Sequence, residues 1–353
     1  MPDIHSSAIT PAGTPGGRFF ALLATGLLAL CAGYAALVLH SAPWAEARQL
    51  DRIFPFYEWR TRPFSAAELA CAWRVLAATA GLLALALALK AAGRGERAAW
   101  TQENRQVVGV LLATLRGLTR TERQVAGWVF VGLTALRTVM SLPAVTPEYD
   151  DAASYTLFVT KGLLAVSAYY PLPNNHVLSN TVSWLFYQAH PGFWWTMRLP
   201  VVLAATGACV LLFVGLLRAR AGFRPALLAI VLFSLAQLSL YHAAVGRGYW
   251  LLSALAGVVF FCALALGAGT ARRRAAWTAL VVGGVLGLYT VPTFALVLAS
   301  AFSWMGVHFC LQRAGKQLVH LTLAAVLVAI GSLVLYAPLL FVSGPGIFFG
   351  NGF

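Results

Sequence analysis

Residues 198–220 read RLPVVLAATGACVLLFVGLLRAR, and no charged residue stands between Arg198 and Arg218. The hydrocarbon core of a bilayer is about 30 Å thick, and about 20 mostly apolar residues in helical form are enough to cross it. This stretch meets that length and carries charge only at its ends. It therefore predicts a transmembrane helix over about residues 199–217.

Outward from this helix, the chain contains eight further apolar segments of similar length. The nine predicted spans are approximately 19–40, 68–90, 125–142, 199–217, 225–241, 250–268, 276–293, 295–312 and 317–343. Only helices and closed barrels satisfy the backbone within lipid, and these segments lack the alternation of barrel strands. The composition agrees, since 60% of the 353 residues are hydrophobic and 10% are charged, against about 25% charged in soluble domains. We expect an all-α integral membrane protein, a polytopic helical bundle of about nine transmembrane helices.

The basic residues predict which end of each span faces the cytoplasm. Lysine and arginine number 25 against 11 aspartates and glutamates, and most of this excess lies in short loops between apolar segments. These loops recur after every second span, at about 90–123, 218–224, 272–274 and 313–316, and cytoplasmic loops typically carry such an excess. The sequence thus predicts a multi-pass protein of the plasma membrane or bacterial inner membrane. Its N-terminus is expected in the cytoplasm, and the charge implies no nucleic acid partner.

Residues 143–198 are predicted to form one long loop on the outer face. Residues 176–195 are half apolar, but counting them as a span would place the basic loop 218–224 outside. We therefore expect helices that lie along the membrane surface within this loop. Residues 103–118 mix apolar and polar residues in the same way, and we expect an interfacial helix on the inner face there.

Carboxylates are few, and they fall in two groups at the outer face. Glu148, Asp150 and Asp151 form the cluster PEYDDAASY at the start of the long loop, and no carboxylate side chain follows in residues 152–353. The other group alternates with arginines, which is more typical of a solvated connector; it comprises Glu46, Asp51, Glu58 and Glu68. A general base at the outer face would therefore come from Asp150 or Asp151. The alternative is that these aspartates cap the following helix, and the two roles are compatible.

Other polar residues of the outer face lie in short motifs. His176 falls in YPLPNNHVLSN, Arg247 and Tyr249 in YHAAVGRGYW, and Tyr289 in LGLYTVPTF. Each is an ordinary residue when taken alone. No carboxylate–histidine pair has metal-ligand spacing, so a divalent cation is left open without support from the sequence.

Arginines near the ends of spans usually extend their charge to the lipid head groups. The sequence predicts this position for Arg198, and also for Arg74 and Arg137, which lie inside predicted spans near their outer ends. For Arg247, both a head-group contact and a role in a site remain open.

The order of the motifs is more specific than any one of them. YDDAASY is followed by NNHVLSNTVSWLF, then by RLPVVLAATGACVLLFVGLLRAR, YHAAVGRGYW and LGLYTVPTFALVL. Over about residues 126–343 this order resembles that of type C (GT-C) membrane glycosyltransferases, in particular the bacterial relatives of protein O-mannosyltransferases and of lipid A aminoarabinose transferase. These enzymes take sugars from a polyprenyl phosphate carrier. The resemblance implies a GT-C-like fold and a catalytic base within the acidic pair.

The chain departs from the family pattern at three points. The second acidic residue is Asp151 instead of glutamate, and the Ala-Arg-x-Tyr-like element reads Gly246-Arg247-Gly248-Tyr249. Residues 1–123, with two spans and the inner-face helix, form an N-terminal extension before the GT-C-like region 124–353. Family members usually continue beyond the closing GPGIFFGNGF, so we expect either a short variant or a chain whose C-terminal part is missing.

The resemblance implies transfer of a sugar from a polyprenyl-phosphate donor to a glycan, lipid or protein acceptor on the outer face, within the membrane lipid. The candidate site residues are Asp150 and Asp151 for catalysis, and Lys161, His176, Arg247, Tyr249 and Tyr289 for substrate binding. The leaving phosphate needs positive partners, of which Arg247 is the first candidate. No cofactor is certain, and a divalent cation remains possible. Two other classes remain open, a non-catalytic or truncated subunit of glycan assembly and a transporter of a lipid-linked substrate.

Overall fold

The computed structural model describes residues 16–53, 63–89, 94–142, 147–170, 175–270 and 272–345. These residues are almost entirely helical and contain no β-strand, which confirms the all-α prediction for this part of the chain. The first eight helices are α1 (Gly17–His40), α2 (Trp44–Ala47), α3 (Ala66–Leu89), α4 (Arg94–Arg116), α5 (Arg120–Met140), α6 (Tyr149–Leu157), α7 (Leu163–Ala168) and α8 (Val177–Ala189). The next eight are α9 (Leu199–Arg218), α10 (Phe223–Leu235), α11 (Gln237–Ala244), α12 (Tyr249–Gly267), α13 (Arg273–Thr290), α14 (Ala295–Leu311), α15 (Gly315–Leu335) and α16 (Ala337–Ser343).

Six helices in the described ranges are long and apolar enough to cross a membrane. They are α1, α3, α12 and α15, together with α9 and α14, each extended by the short turn that precedes it. Helices α10 and α11 form a seventh candidate, bent by 64° at the break between them. The chain is thus a multi-pass helical membrane protein with six to seven candidate spans.

Two predicted spans, 125–142 and 276–293, correspond to helices outside this set, α5 and α13. Helix α5 begins with charged residues and contains Arg137 near its end. Helix α13 begins with Arg273 and Arg274 and is buried along most of its length. A helix enclosed by other helices has no lipid-facing side to keep apolar, which explains why α13 has a weaker hydropathy signal than its neighbours.

Helix α13 forms the centre of the core. Its Trp277, Leu280 and Val281 are fully buried, and it packs against α12 and α15. Helix α1 belongs to the same core, since Phe20 contacts Trp277 edge to face and α1 packs along α15 as well as α3. The N-terminal extension is therefore joined to the rest of the bundle through α1.

Helix α4 begins earlier than the predicted inner-face helix at 103–118 and is fastened to α13. The Glu103 carboxylate is buried and accepts hydrogen bonds from the backbone N–H of Arg274 (2.7 Å) and Ala275 (3.1 Å) and from the Arg274 guanidinium (2.8 Å). A carboxylate at the first turn of a helix is favoured by the helix dipole. The exposed large apolar residues of α4 that the structure describes, Val108 among them, lie in its second half, as in an interfacial helix.

The predicted long loop contains short helices, and its described residues before Trp194 contain no candidate span. After α6 come a 3-10 turn (Val159–Lys161), α7 and α8, and a π turn (Trp194–Arg198) leads directly into α9. Residues 143–146 and 171–174 of this loop lie outside the described residues, as do 54–62 of the acidic connector. We call the end of the bundle that carries α6 to α8 the site end, and the end that carries α4 the opposite end.

Candidate functional site

Asp150 lies in the first turn of α6, where its side chain is 45% exposed. Its carboxylate pairs with the guanidinium of Arg247, which lies between α11 and α12 and is 13% exposed. Ninety-seven residues separate the two in the chain. The site end thus presents a carboxylate that is both accessible and held by a cation.

Asp151, the next residue, is in the opposite environment and is fully buried. Its Oδ2 accepts hydrogen bonds from the Arg198 guanidinium (3.3 Å) and from the backbone N–H of Gly246 (3.2 Å). Its Oδ1 is buried without a hydrogen-bond partner among the described residues. The two adjacent aspartates therefore divide into one that solvent reaches and one that joins α6 to α9 and to the α11–α12 turn.

Arg198 is 2% exposed, so the predicted extension of this arginine to the lipid head groups is wrong. It also donates to the carbonyl of Ser141 (3.3 Å) at the end of α5, and its guanidinium stands 5.4 Å from the centre of the Phe193 ring. Arg198 closes the π turn, in which one extra residue changes the direction of the side chains that follow. That turn points Arg198 into the protein instead of along the helix surface.

Arg137 is also buried, at 1% exposure, and its predicted extension to the head groups is likewise wrong. Its guanidinium donates to Ser234 (2.9 Å) and to the Cys209 sulfur (3.0 Å), and it stands 4.8 Å from the Trp250 ring centre. Arg74, in contrast, is exposed as predicted. Burial of Arg137 in place of lipid exposure follows from its position on the face of α5 that packs against α9 and α10.

Arg247 also contacts His176, with 3.0 Å between a guanidinium nitrogen and Nε2 of the imidazole. A guanidinium can only donate, so Nε2 is the acceptor and the ring proton of the neutral tautomer is on Nδ1. Burial, followed by the charge of Arg247, lowers the pKa of His176 to about 3. His176 is therefore a neutral acceptor that orients Arg247, and its Nδ1–H is buried without a partner among the described residues.

Tyr249 completes the aromatic side of the site. The centre of its ring lies 5.3 Å from the Arg247 guanidinium carbon. It lies 4.9 Å from the centre of the His176 ring and 3.8 Å from the centre of the His242 ring. Tyr170 is close enough for the charge of Arg247 to lower its pKa, although burial outweighs that effect and raises the pKa of Tyr170 to about 12. His242 and Tyr170 are additions that the motif pattern did not single out.

The glycines on both sides of Arg247 are required by close packing. A Cβ atom on Gly246 would lie 2.7 Å from Cβ of Met197 and 3.2 Å from its backbone carbonyl. A Cβ on Gly248 would lie 2.8 Å from Cβ of Ser179 and 3.1 Å from Nδ1 of His176. Gly246 thus stands where the resembled pattern has alanine because the α11–α12 turn is pressed against the π turn.

The structure brings together Asp150, Asp151, His176, Arg247 and Tyr249. It leaves Tyr289 in a neighbouring buried cluster, where its hydroxyl donates to that of Tyr34 (3.4 Å). Lys161 is exposed on the 3-10 turn. The described residues contain no group of three or more histidine, cysteine, aspartate or glutamate side chains placed to hold a metal ion.

No protein-family model, curated protein sequence or solved structure matches the chain. The interpretation of the site therefore rests on its own geometry and on the order of the sequence motifs.

Proposed function

We propose that the chain is a GT-C-like membrane glycosyltransferase, which transfers a sugar from a polyprenyl phosphate carrier to an acceptor hydroxyl. The observation that carries the proposal is the Asp150–Arg247 pair. It places an accessible carboxylate beside a guanidinium that is 13% exposed, at the end of an apolar helical bundle. The chain would cross the plasma membrane or bacterial inner membrane nine times, with its N-terminus in the cytoplasm and the site on the outer face. The distribution of basic loops supports this orientation.

In the proposed reaction Asp150 is the general base. It takes the proton of the acceptor hydroxyl as that oxygen attacks the anomeric carbon of the sugar, and such assistance typically contributes 10²–10⁴-fold. The bond between the anomeric carbon and the phosphate oxygen breaks, and its electron pair leaves with the polyprenyl phosphate. A single displacement of this kind inverts the anomeric configuration. The exposure of Asp150 favours it over the buried Asp151 for this role.

Arg247 would bind the phosphate, whose negative charge grows as the bond breaks. Its guanidinium is held by Asp150, by Nε2 of His176 and by the face of the Tyr249 ring. A bound phosphate would compete with Asp150 for this guanidinium and so release the carboxylate to act as a base. Asp151 and Arg198 would then be positioning residues that keep α6 beside the Arg247 turn.

A transporter of a lipid-linked substrate is the second candidate, and one feature favours it. Helices α10 and α11 are bent by 64° at their break, and Arg137 is buried close to it. Discontinuous helices and ionisable residues within the membrane are typical of transporters. The described residues offer no carboxylate partner to Arg137, whereas transporter sites usually couple charges of both signs.

The test is transfer of label from a membrane-extracted pool of radiolabelled polyprenyl phosphate sugars to new products by the purified, lipid-reconstituted chain. Asp150→Asn should abolish the product, while Glu148→Gln, a change to the exposed carboxylate two residues earlier, should not. Product formation by Asp150→Asn at the wild-type rate would exclude Asp150 as the base. Label that crosses the vesicle bilayer without forming a product would favour the transporter.

A further inference from the structure

Tyr34 of α1 is half-buried and is the centre of a cluster of hydroxyl groups from four helices. Its hydroxyl lies 2.9 Å from Oγ of Ser167 in α7, 3.2 Å from Oγ1 of Thr181 in α8 and 3.4 Å from the hydroxyl of Tyr289 in α13. The three partners are all buried. The phenol oxygen of Tyr34 thus contacts three residues that follow it in the chain by 133, 147 and 255 positions.

The protons in this cluster can be assigned from the bonding capacity of each group. Thr181 donates its proton to the carbonyl of Val177 (2.8 Å), so towards Tyr34 it can only accept. Tyr289 donates to Tyr34. All four hydroxyl groups are satisfied when Tyr34 donates to Thr181 and accepts from Tyr289 and Ser167. The phenol group of Tyr34 then uses its one proton and both of its lone pairs.

Two of these partners lead directly to the candidate site. Thr181 lies in the first turns of α8, whose N-cap residue is His176, and the backbone carbonyl of His176 accepts from the N–H of Asn180 (2.8 Å). Tyr289 precedes Thr290, whose methyl group would lie 3.2 Å from a Cβ on Gly248, the residue after Arg247. Partners of the Tyr34 hydroxyl thus belong to the helix that His176 caps and to the helix that ends beside the Arg247 turn.

Helix α1 packs against several other helices, so its own position is fixed and it can hold parts of the site in place. Ala35 and Val38, which follow Tyr34 in the helix, are fully buried, and α1 packs against α7, α15 and α16 as well as α3. Phe19 and Phe20 anchor its first turns at the opposite end. One face of the helix is thus packed within the bundle, while Leu30 and Leu37 on the other face are exposed.

We propose that Tyr34 is a positioning residue of the site, and that the N-terminal extension serves to fix His176 and the Arg247 turn through its hydroxyl. The assignment of the site as catalytic rests on the function proposed above, but the positioning itself does not. Loss of the Tyr34 hydroxyl should loosen α8 where it begins, and expose the imidazole of His176 to water.

The experiment compares the wild type with Tyr34→Phe, which keeps the ring, and with Thr25→Val as the matched control. Thr25 is on the same helix, and its hydroxyl bonds only to the carbonyl of Ala21 in its own helix among the described residues. Acylation of His176 by diethyl pyrocarbonate, followed by peptide mass spectrometry, measures the access of the reagent to this imidazole. We expect about fivefold faster labelling in Tyr34→Phe, the factor that corresponds to one lost hydrogen bond of about 1 kcal/mol, and no change in Thr25→Val.

The same proteins are then assayed for transfer. A fall in kcat larger than any change in KM in Tyr34→Phe, with Thr25→Val unchanged, supports positioning of reacting groups. Equal labelling of His176 in Tyr34→Phe and wild type would overturn the proposal, whether or not the wild type transfers sugar. Thr181→Val removes the acceptor of the Tyr34 hydroxyl on α8 while leaving Tyr34 intact, and it decides the question by the same labelling measurement if Tyr34→Phe does not insert.

Discussion

Asp151 and Arg198 form an ion pair from which water is excluded, with side chains 0% and 2% exposed, although they are 47 positions apart in the chain. The pair joins α6, the π turn and the end of α5 at one point, because Arg198 also binds the Ser141 carbonyl. This pair joins the first turn of α6 to the bundle, and its neighbour Asp150 in the same turn is 45% exposed. The buried pair and the accessible carboxylate are thus two parts of one arrangement.

Removal of one member of the buried pair should destabilise the protein strongly. Breaking such a pair leaves a buried charge without its partner and typically costs about 3–5 kcal/mol. We therefore expect Arg198→Met to lower the midpoint of thermal unfolding in detergent much more than the double variant Asp151→Leu/Arg198→Met, in which no charge is left behind. Equal losses in the single and double variants would show that packing, and not charge, sets the cost.

Gly246→Ala should disturb the turn that presents Arg247. The added methyl group would meet the backbone of Met197, which cannot rotate away, and overpacking of this kind typically costs about 1–3 kcal/mol. Gly207→Ala in α9 is the matched control, since a Cβ there meets no atom within 4 Å. Chemical denaturation in mixed micelles measures both, and a Gly246→Ala protein as stable as Gly207→Ala would contradict the packing argument.

Glu103→Gln should release the first half of α4 from α13. The carboxylate is buried and accepts three hydrogen bonds at the start of α13, so its loss is expected to cost about 3 kcal/mol or more. Glu96 is 24% exposed and makes a single bond to Arg274, and Glu96→Gln should cost about 1 kcal/mol or less. Hydrogen exchange of the α4 amides distinguishes them, and similar exchange in the two variants would be inconsistent with a dominant role for Glu103.

Stability should depend on pH through His176. The folded protein lowers the pKa of this histidine from 6.5 to about 3, so the unfolded chain binds the extra proton between these values. The contribution of His176 is fully present above about pH 6.5 and is lost as the pH falls towards 3, with a slope of up to about 1.4 kcal/mol per pH unit. His176→Asn should remove this part of the slope in unfolding measurements from about pH 6.5 to pH 4. A slope that is unchanged in the variant would mean that another group is responsible.

The membrane-crossing helices could be predicted from the sequence because lipid exposure leaves a local signal in the chain. Seven of the nine predicted spans match helices or the bent pair that meet the requirement for crossing. Helix α13 gives a weaker signal because it faces protein, and the orientation of the chain in the membrane stays a prediction.

The burial of two arginines could not be predicted, because the sequence of a helix does not show which of its faces contacts lipid and which contacts protein. Arg198 and Arg137 both lie near span ends, where an exposed arginine is the common case, and both are buried. The π turn that redirects Arg198 has no recognised local signature, although the adjacent aromatic pair Trp194–Trp195 marks a special segment. The cluster around Tyr34 depends on contacts between helices that are distant in sequence, so only the fold brings it together.

Arg137 has a consequence for how the chain is made. Its hydrogen-bond partners Cys209 and Ser234 follow 72 and 97 residues later, and Trp250 comes later still. Because synthesis proceeds from the N-terminus, α5 reaches the membrane before any of these partners exists. A charged guanidinium in a helix of modest hydropathy is a poor candidate for independent insertion. In the nine-span topology proposed above, α5 would therefore stay at the insertion machinery until α9, α10 and α12 have emerged, and these helices would enter the bilayer as one group.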